Sequence, residues 1–215
     1  MALASPNPSR VSVGGPAPGE ENPGAEIPPR ASSSLILLRD GAGGAEVLLV
    51  RRNPEARFMG GAWVFPGGAL DEQDESPAHT AVRELAEESG VALDGVSALV
   101  PFSRWITPAE VKVRFDTRFF VARAPQGAEA VPDGSECVAA GWFRPSAALE
   151  AHARDELELV FPTIKHLEEL AGFATVESAL ETAGAREVVA IQPRVASGED
   201  GDVRVLLPGD PGFTD

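Results

Sequence analysis

The chain has 215 residues, a net charge of −15 and 43% hydrophobic residues, enough apolar content for one globular core. So acidic a balance argues against the phosphate backbone of nucleic acids and against anionic membrane surfaces, and neither partner is expected. A single cysteine, Cys137, excludes an internal disulfide and a cysteine-based zinc site, and His79, His152 and His166 are too scattered to share a metal.

Residues 1–30 are rich in Pro, Gly, Ser and Ala and contain no apolar run. Such a stretch cannot bury enough surface to offset chain entropy, so a disordered tail is expected. It lacks the apolar core of a secretion signal, and no run long enough to cross a bilayer follows. The cytoplasm is the expected location.

Ser33–Arg39 and Ala45–Arg52 are short apolar runs joined by Asp40-Gly41-Ala42-Gly43-Gly44, which predicts a hairpin. Both runs are apolar on both sides, as in central strands of a sheet covered on each face. Arg52 and Arg57 flank the loop that leads to the turn Phe65-Pro66-Gly67-Gly68. Guanidinium groups beside a metal site suit phosphate; the alternative is that they pair with some of the chain's 33 acidic residues.

A helix with sharp ends follows. Ser76 can N-cap it, Pro77 fits its first position, and Gly90 can end it in a left-handed conformation. Ala78, Ala81, Val82 and Leu85 recur at helical spacing as an apolar stripe. Glu84, Glu87 and Glu88 stand at i, i+3 and i+4, so their carboxylates cluster away from that stripe. Each like-charged i,i+4 pair costs roughly 0.2–0.5 kcal/mol. A divalent cation relieves that repulsion, and an oxygen-only donor set selects Mg²⁺ or Mn²⁺. An exposed acidic face is the alternative meaning of the same pattern.

Beyond it, Val96–Thr107 reads as a strand broken by Pro101, hence edge or bulged, and Arg114–Arg123 as a strong strand. Ala139–Phe143 is a short strand, and Cys137 before it reads as a small buried side chain. Helices are predicted over Pro145–Leu159, Pro162–Gly172 and Val176–Gly184, and strand-like pieces over Val188–Val195 and Val203–Leu207. This last region either packs on the core or makes a homodimer contact.

Arg83-Glu84-Leu85-Ala86-Glu87-Glu88-Ser89-Gly90-Val91 resembles the signature of the Nudix hydrolases at every fixed position, Arg-Glu-apolar-x-Glu-Glu-x-Gly-apolar. The family has a Glu eight residues before the Arg, and Glu75 holds that place. Gly68 stands seven residues before Glu75 where the family has six, so the loop Ala69–Asp74 carries one extra residue. The resemblance implies an α/β/α sandwich with a mixed central sheet over residues 31–155 and a helical C-terminal extension, 156–215, packed on the core. It also implies hydrolysis of a diphosphate linkage in a small-molecule, nucleoside-diphosphate-linked substrate. Glu84 and Glu88 would bind one essential Mg²⁺ or Mn²⁺, with Glu87 on a second metal or polarising the water. Arg83 would pair with Glu75 and hold the loop against the helix, while Gly67 and Gly68 let backbone approach the diphosphate. Glu136, six residues before Trp142 as is common in the superfamily, is a candidate general base.

A second resemblance concerns the substrate. Leu48, Leu49, Arg52, Arg57, Gly61 and Phe65–Gly68 are similar in register to the element that precedes the helix in coenzyme A diphosphatases. Val50 and Asn53 depart from it, standing where that pattern has Thr and Ser or Ala. Ser-Arg-Trp-Ile-Thr-Pro at 103–108 and Arg-Phe-Asp-Thr-Arg-Phe-Phe at 114–120 resemble the acyl-CoA branch. The resemblance implies coenzyme A or acyl-CoA as substrate, with 3′,5′-ADP and (acyl-)4′-phosphopantetheine as products. Trp105, Phe115, Phe119 and Phe120 are either walls for an adenine or pantetheine arm, or core. NADH, ADP-ribose or a dinucleoside polyphosphate is the alternative substrate, and a non-catalytic Nudix-fold binding module the third reading.

Overall fold

The computed structural model describes Asn22, residues 24–197 and residues 203–213. Most of the tail expected over residues 1–30 lies outside these. Among the described residues the elements run β1 (Arg30–Gly41), β2 (Gly44–Arg52), β3 (Trp63–Val64), β4 (Gly67–Ala69), α1 (Pro77–Ser89), β5 (Val100–Ile106), β6 (Phe115–Arg123), β7 (Cys137–Phe143), α2 (Pro145–Ala153), α3 (Phe161–Leu170), α4 (Val176–Ala185), β8 (Ala190–Ile191), β9 (Arg194–Ser197) and β10 (Val203–Leu206). None of the helices is long and apolar enough to cross a membrane.

The central sheet is mixed. Its path is β3-β2-β1-β6-β5-β8, with β4 also paired to β1 and β7 to β2. β1 and β2 form the expected antiparallel hairpin, and β1 runs parallel to β6. The two apolar runs account for the layers. Successive strand residues point to opposite faces, so a run with no polar positions feeds two cores at once. Ile36, Leu38, Val47 and Leu49 enter one cluster, with Ala148, Ile164, Leu167, Val176 and Ala179 from α2, α3 and α4. Leu35, Leu37 and Leu48 enter the other, with Ala81 and Leu85 of α1. The result is the α/β/α sandwich that the resemblance implied.

β1 is shared along its length. Ser32–Ser34 pair with β4, and Leu38–Gly41 pair on the same edge with β2. Gly67 and Gly68 therefore sit where the two partners of β1 part company, next to α1.

Several boundaries differ from the sequence expectation, each for a local reason. β5 starts four residues later than the predicted strand, carries a register shift between Pro101 and Ser103, and is covered at Arg104 and Trp105 by β8. The bulge lets a residue without an N–H remain in the ladder. The predicted helix over Pro145–Leu159 stops at Ala153; Asp155 has φ 57°, and Leu157 and Leu159 turn back into the core. The piece over Val188–Val195 is split into β8 and β9 on either side of Pro193.

Candidate active site

α1 has the ends its sequence requires. Ser76 is extended (φ −162°) and accepts from the His79 backbone N–H, and Gly90 is left-handed (φ 68°) and donates to the Ala86 carbonyl. The apolar stripe is narrower than its spacing suggests. Ala81 and Leu85 are buried, Ala78 and Val82 only half-buried, and the inward face also takes Thr80, Glu88 and Ser89. That rotation turns the three acidic side chains to different depths: Glu88 is 2% exposed, Glu84 12% and Glu87 58%.

Glu88 points at the sheet. Its Oε2 accepts from the Gly67 N–H at 2.9 Å, while its Oε1 is buried without a hydrogen-bond donor. Burial pushes its carboxyl up to about 7, against the pull of the Gly67 N–H, and the charges of Glu84 and Glu136 push the same way. Glu84 is raised first by burial, with Glu87 and Glu136 adding to it against Arg83. Carboxylates from α1 and from the loop before β7 thus share one field.

The structure corrects the pairing of Arg83. Its partner is Asp74, not Glu75. Arg83 Nε and one Nη donate to the two Asp74 carboxylate oxygens at 3.1 and 2.8 Å. The other Nη donates to Glu84 Oε1 and Glu87 Oε2, both at 2.9 Å. Asp74 is 5% exposed, also accepts from the Asp71 N–H and the buried Thr80 hydroxyl, and is held well below the usual carboxylate range, first by Arg83. Glu75 is 83% exposed and reaches only His79, at 3.6 Å. Asp74 lies six residues after Gly68, so the extra residue falls between the loop acid and Arg83 rather than before the acid. Counting forward from Gly68 would have found it.

Glu136 is carried by a loop the sequence left unexplained. Asp133 accepts from the backbone N–H groups of Ser135, Glu136 and Cys137 and so folds the turn that presents Glu136. Asn53, a departure from the coenzyme A pattern, donates its backbone N–H to the Glu136 carbonyl and its side chain to the Ser135 carbonyl, each at 2.8 Å. Arg52 points between the acids, 3.9 Å from Glu88 Oε1 and 3.4 Å from Glu136 Oε1. Cys137 is fully buried opposite Arg52 in the β2–β7 pairing, and burial, with Glu88 nearby, pushes its thiol up. Arg57 is exposed and joins no ion pair among the described residues, so it is not gathered with the rest.

The glycine turn has a packing reason as well as the expected access. A Cβ on Gly67 would strike the Ser33 carbonyl and Ser34, and one on Gly68 would strike the Glu84 carboxylate. The aromatics separate: Trp105 and Phe119 are buried around His166, and Phe120 packs on the α1 side. Phe115 alone of the four pairs with the loop, its ring 5.8 Å from that of Phe58.

The donor set fits a hard divalent cation: carboxylate oxygens from two elements, one buried and without a donor. Among the described residues no three His, Cys, Asp or Glu side chains stand in ligating array, and Arg83 and Arg52 engage these carboxylates.

Comparison with known proteins places this architecture. The family model described as NUDIX domain matches residues 28–163, more than half of the chain. The chain is 35% identical over 83 residues to the "Probable nudix hydrolase C6G9.05" of Schizosaccharomyces pombe, covering 39% of this chain and 29% of that protein. It is 32% identical over 118 residues to the human "Acyl-coenzyme A diphosphatase NUDT19", covering 53% of this chain and 31% of that one. The chain thus spans less than a third of the length of each of these two relatives. A crystal structure of a NUDIX hydrolase from Alicyclobacillus acidocaldarius superposes with TM-score 0.68 and 28% identity, covering 76% of this chain and all of that one.

Proposed function

The chain belongs to the Nudix family, and from that premise we propose that it is a divalent-cation-dependent hydrolase of a diphosphate linkage. The observation that carries the reading is the buried Glu88 Oε1, which has no donor and feels the charges of Glu84 and Glu136. Such an atom is costly unless a ligand completes it. Glu84 and Glu88 are assigned as the cation's ligands, with Glu87 at the rim. A bound Mg²⁺ or Mn²⁺ would supply neutralisation of the diphosphate charge and activation of water. The protein's own groups do the positioning. Arg83 fixes Glu84 and Glu87, and the Gly67 N–H fixes Glu88. Glu136, half in solvent, is suited to hold the proton taken from the attacking water.

Coenzyme A or an acyl-CoA is the substrate we favour. Support comes from the register of Arg52, Gly61 and Phe65–Gly68, from the name of the human relative, and from the half-buried Phe58–Phe115 pair as a surface for a base. A second reading is another dinucleotide such as NADH or ADP-ribose: Asn53 departs from the coenzyme A pattern, and its side chain is spent on the Ser135 carbonyl. A panel of these substrates with Mg²⁺ and Mn²⁺, products read by mass, tests both. Coenzyme A should give 3′,5′-ADP and 4′-phosphopantetheine. Far faster turnover of ADP-ribose or NADH would transfer the assignment, and no turnover of any diphosphate would remove the hydrolase reading.

A further inference from the structure

Arg52 ends β2, and its guanidinium is committed to the carboxylate cluster. Its Nε donates to the Phe58 carbonyl at 3.3 Å, which aims the two terminal nitrogens. One lies 3.9 Å from Glu88 Oε1 and the other 3.4 Å from Glu136 Oε1. The longer distance is beyond a hydrogen bond, so Glu88 Oε1 keeps no donor while a positive charge stands close to it. Arg83 is taken up by Asp74, Glu84 and Glu87. Among the described residues Arg52 is therefore the cation that links Glu88 on α1 to Glu136 on the β7 loop.

We propose that Arg52 is a positioning residue that acts as the internal counter-ion of this cluster: it holds Glu88 and Glu136 together when no divalent ion is bound, and gives up its place when the ion enters. The inference rests on the cation reading above. Two charges of one sign compete for the same oxygens, so Arg52 lowers the affinity for the ion it anticipates. The same charge offsets the burial of Glu88 while the ion is absent. One substitution should thus move two quantities in opposite directions, which a purely structural arginine would not do.

The test is Mn²⁺ titration by calorimetry of the full chain, unaltered and as Arg52→Gln and Arg52→Lys, with melting curves in chelator and in saturating Mn²⁺. Without the ion, Arg52→Gln should melt about 5 °C lower. It should nevertheless bind Mn²⁺ about tenfold tighter. The melting gap should close when Mn²⁺ saturates. Arg52→Lys keeps the charge and should bind Mn²⁺ nearly as the unaltered chain does; it carries the comparison should Arg52→Gln fail to fold, a lysine that tightens Mn²⁺ tenfold then counting against the proposal. Equal or weaker Mn²⁺ binding by Arg52→Gln overturns the counter-ion role while leaving the cation site standing. No Mn²⁺ binding by the unaltered chain overturns the cation reading, and this inference with it.

Discussion

Replacing Asp74 by Asn tests the corrected pairing of Arg83. The substitution keeps the size of the side chain and removes its charge. Two charge-assisted hydrogen bonds from Arg83, at 2.8 and 3.1 Å, become neutral ones or are lost. Such bonds contribute about 1.5–3 kcal/mol each when the partner is charged, and breaking a buried pair can cost about 3–5 kcal/mol. Arg83 is 24% exposed and keeps Glu84 and Glu87, so the loss stays below the buried-pair range and near that of one such bond, about 2 kcal/mol. For a chain of this size that is roughly 4–8 °C in Tm, or about 1 M in the urea midpoint. Glu75→Gln removes an exposed charge whose nearest partner is 3.6 Å away and should cost less than about 0.5 kcal/mol. The Asp74 contribution has a pH signature. Its carboxyl is held low in the folded chain, so the stabilisation is complete above the ordinary carboxylate range and is lost as pH falls below it. Urea melts of both variants at pH 7 and at about pH 3, inside the window where the Asp74 contribution fades, decide the matter. If Glu75→Gln destabilises as much as Asp74→Asn, the pairing described here is wrong.

Further outcomes are expected elsewhere. Glu88→Gln should leave Tm unchanged or higher, since a buried acid without a donor becomes neutral, while kcat falls by roughly a thousandfold; circular dichroism and steady-state rates measure the two. Gly68→Ala places a methyl group against the Glu84 carboxylate, a movable side-chain end, so stability should change by less than about 1 kcal/mol while Mn²⁺ affinity drops in calorimetry. His166 is buried against Phe119 with its Nε2 2.6 Å from the Ser103 hydroxyl, and burial lowers it to about 3. The unfolded imidazole binds a proton first, so stability should decline as pH falls from about 6.5 toward 3, by about 2 kcal/mol at pH 5. That part of the decline should be missing in His166→Phe.

What the sequence made legible follows from how local each cause is. The caps of α1 act within one turn, and Ser76, Pro77 and Gly90 stand as their residue types require. The hairpin and the two-sided burial of β1 and β2 follow from continuous apolar runs and a glycine turn. The rotation of α1 is less legible, because the buried Thr80 hydroxyl donates to Asp74, a residue outside the helix. Counting back from Arg83 points to Glu75, whereas the Asp74 carboxylate, accepting from the Asp71 N–H, fixes the loop from its other side. Arg57 looked equivalent to Arg52, and only the fold separates the one beside Glu88 from the one in solvent. Trp105 and Phe119 read as walls or core until α3 brought His166 between them.

The loop that presents Glu136 is mounted almost wholly through main chain. Asn53 grips it from the end of β2, Asp133 folds it through amide groups, and the Val131 N–H donates to the Ser89 carbonyl at the end of α1. None of these bonds uses the Glu136 side chain as a support. The mount would survive an exchange of what it displays: another side chain at position 136 would leave from the same backbone position, so the chemistry at that point can be re-equipped without rebuilding the scaffold that carries it.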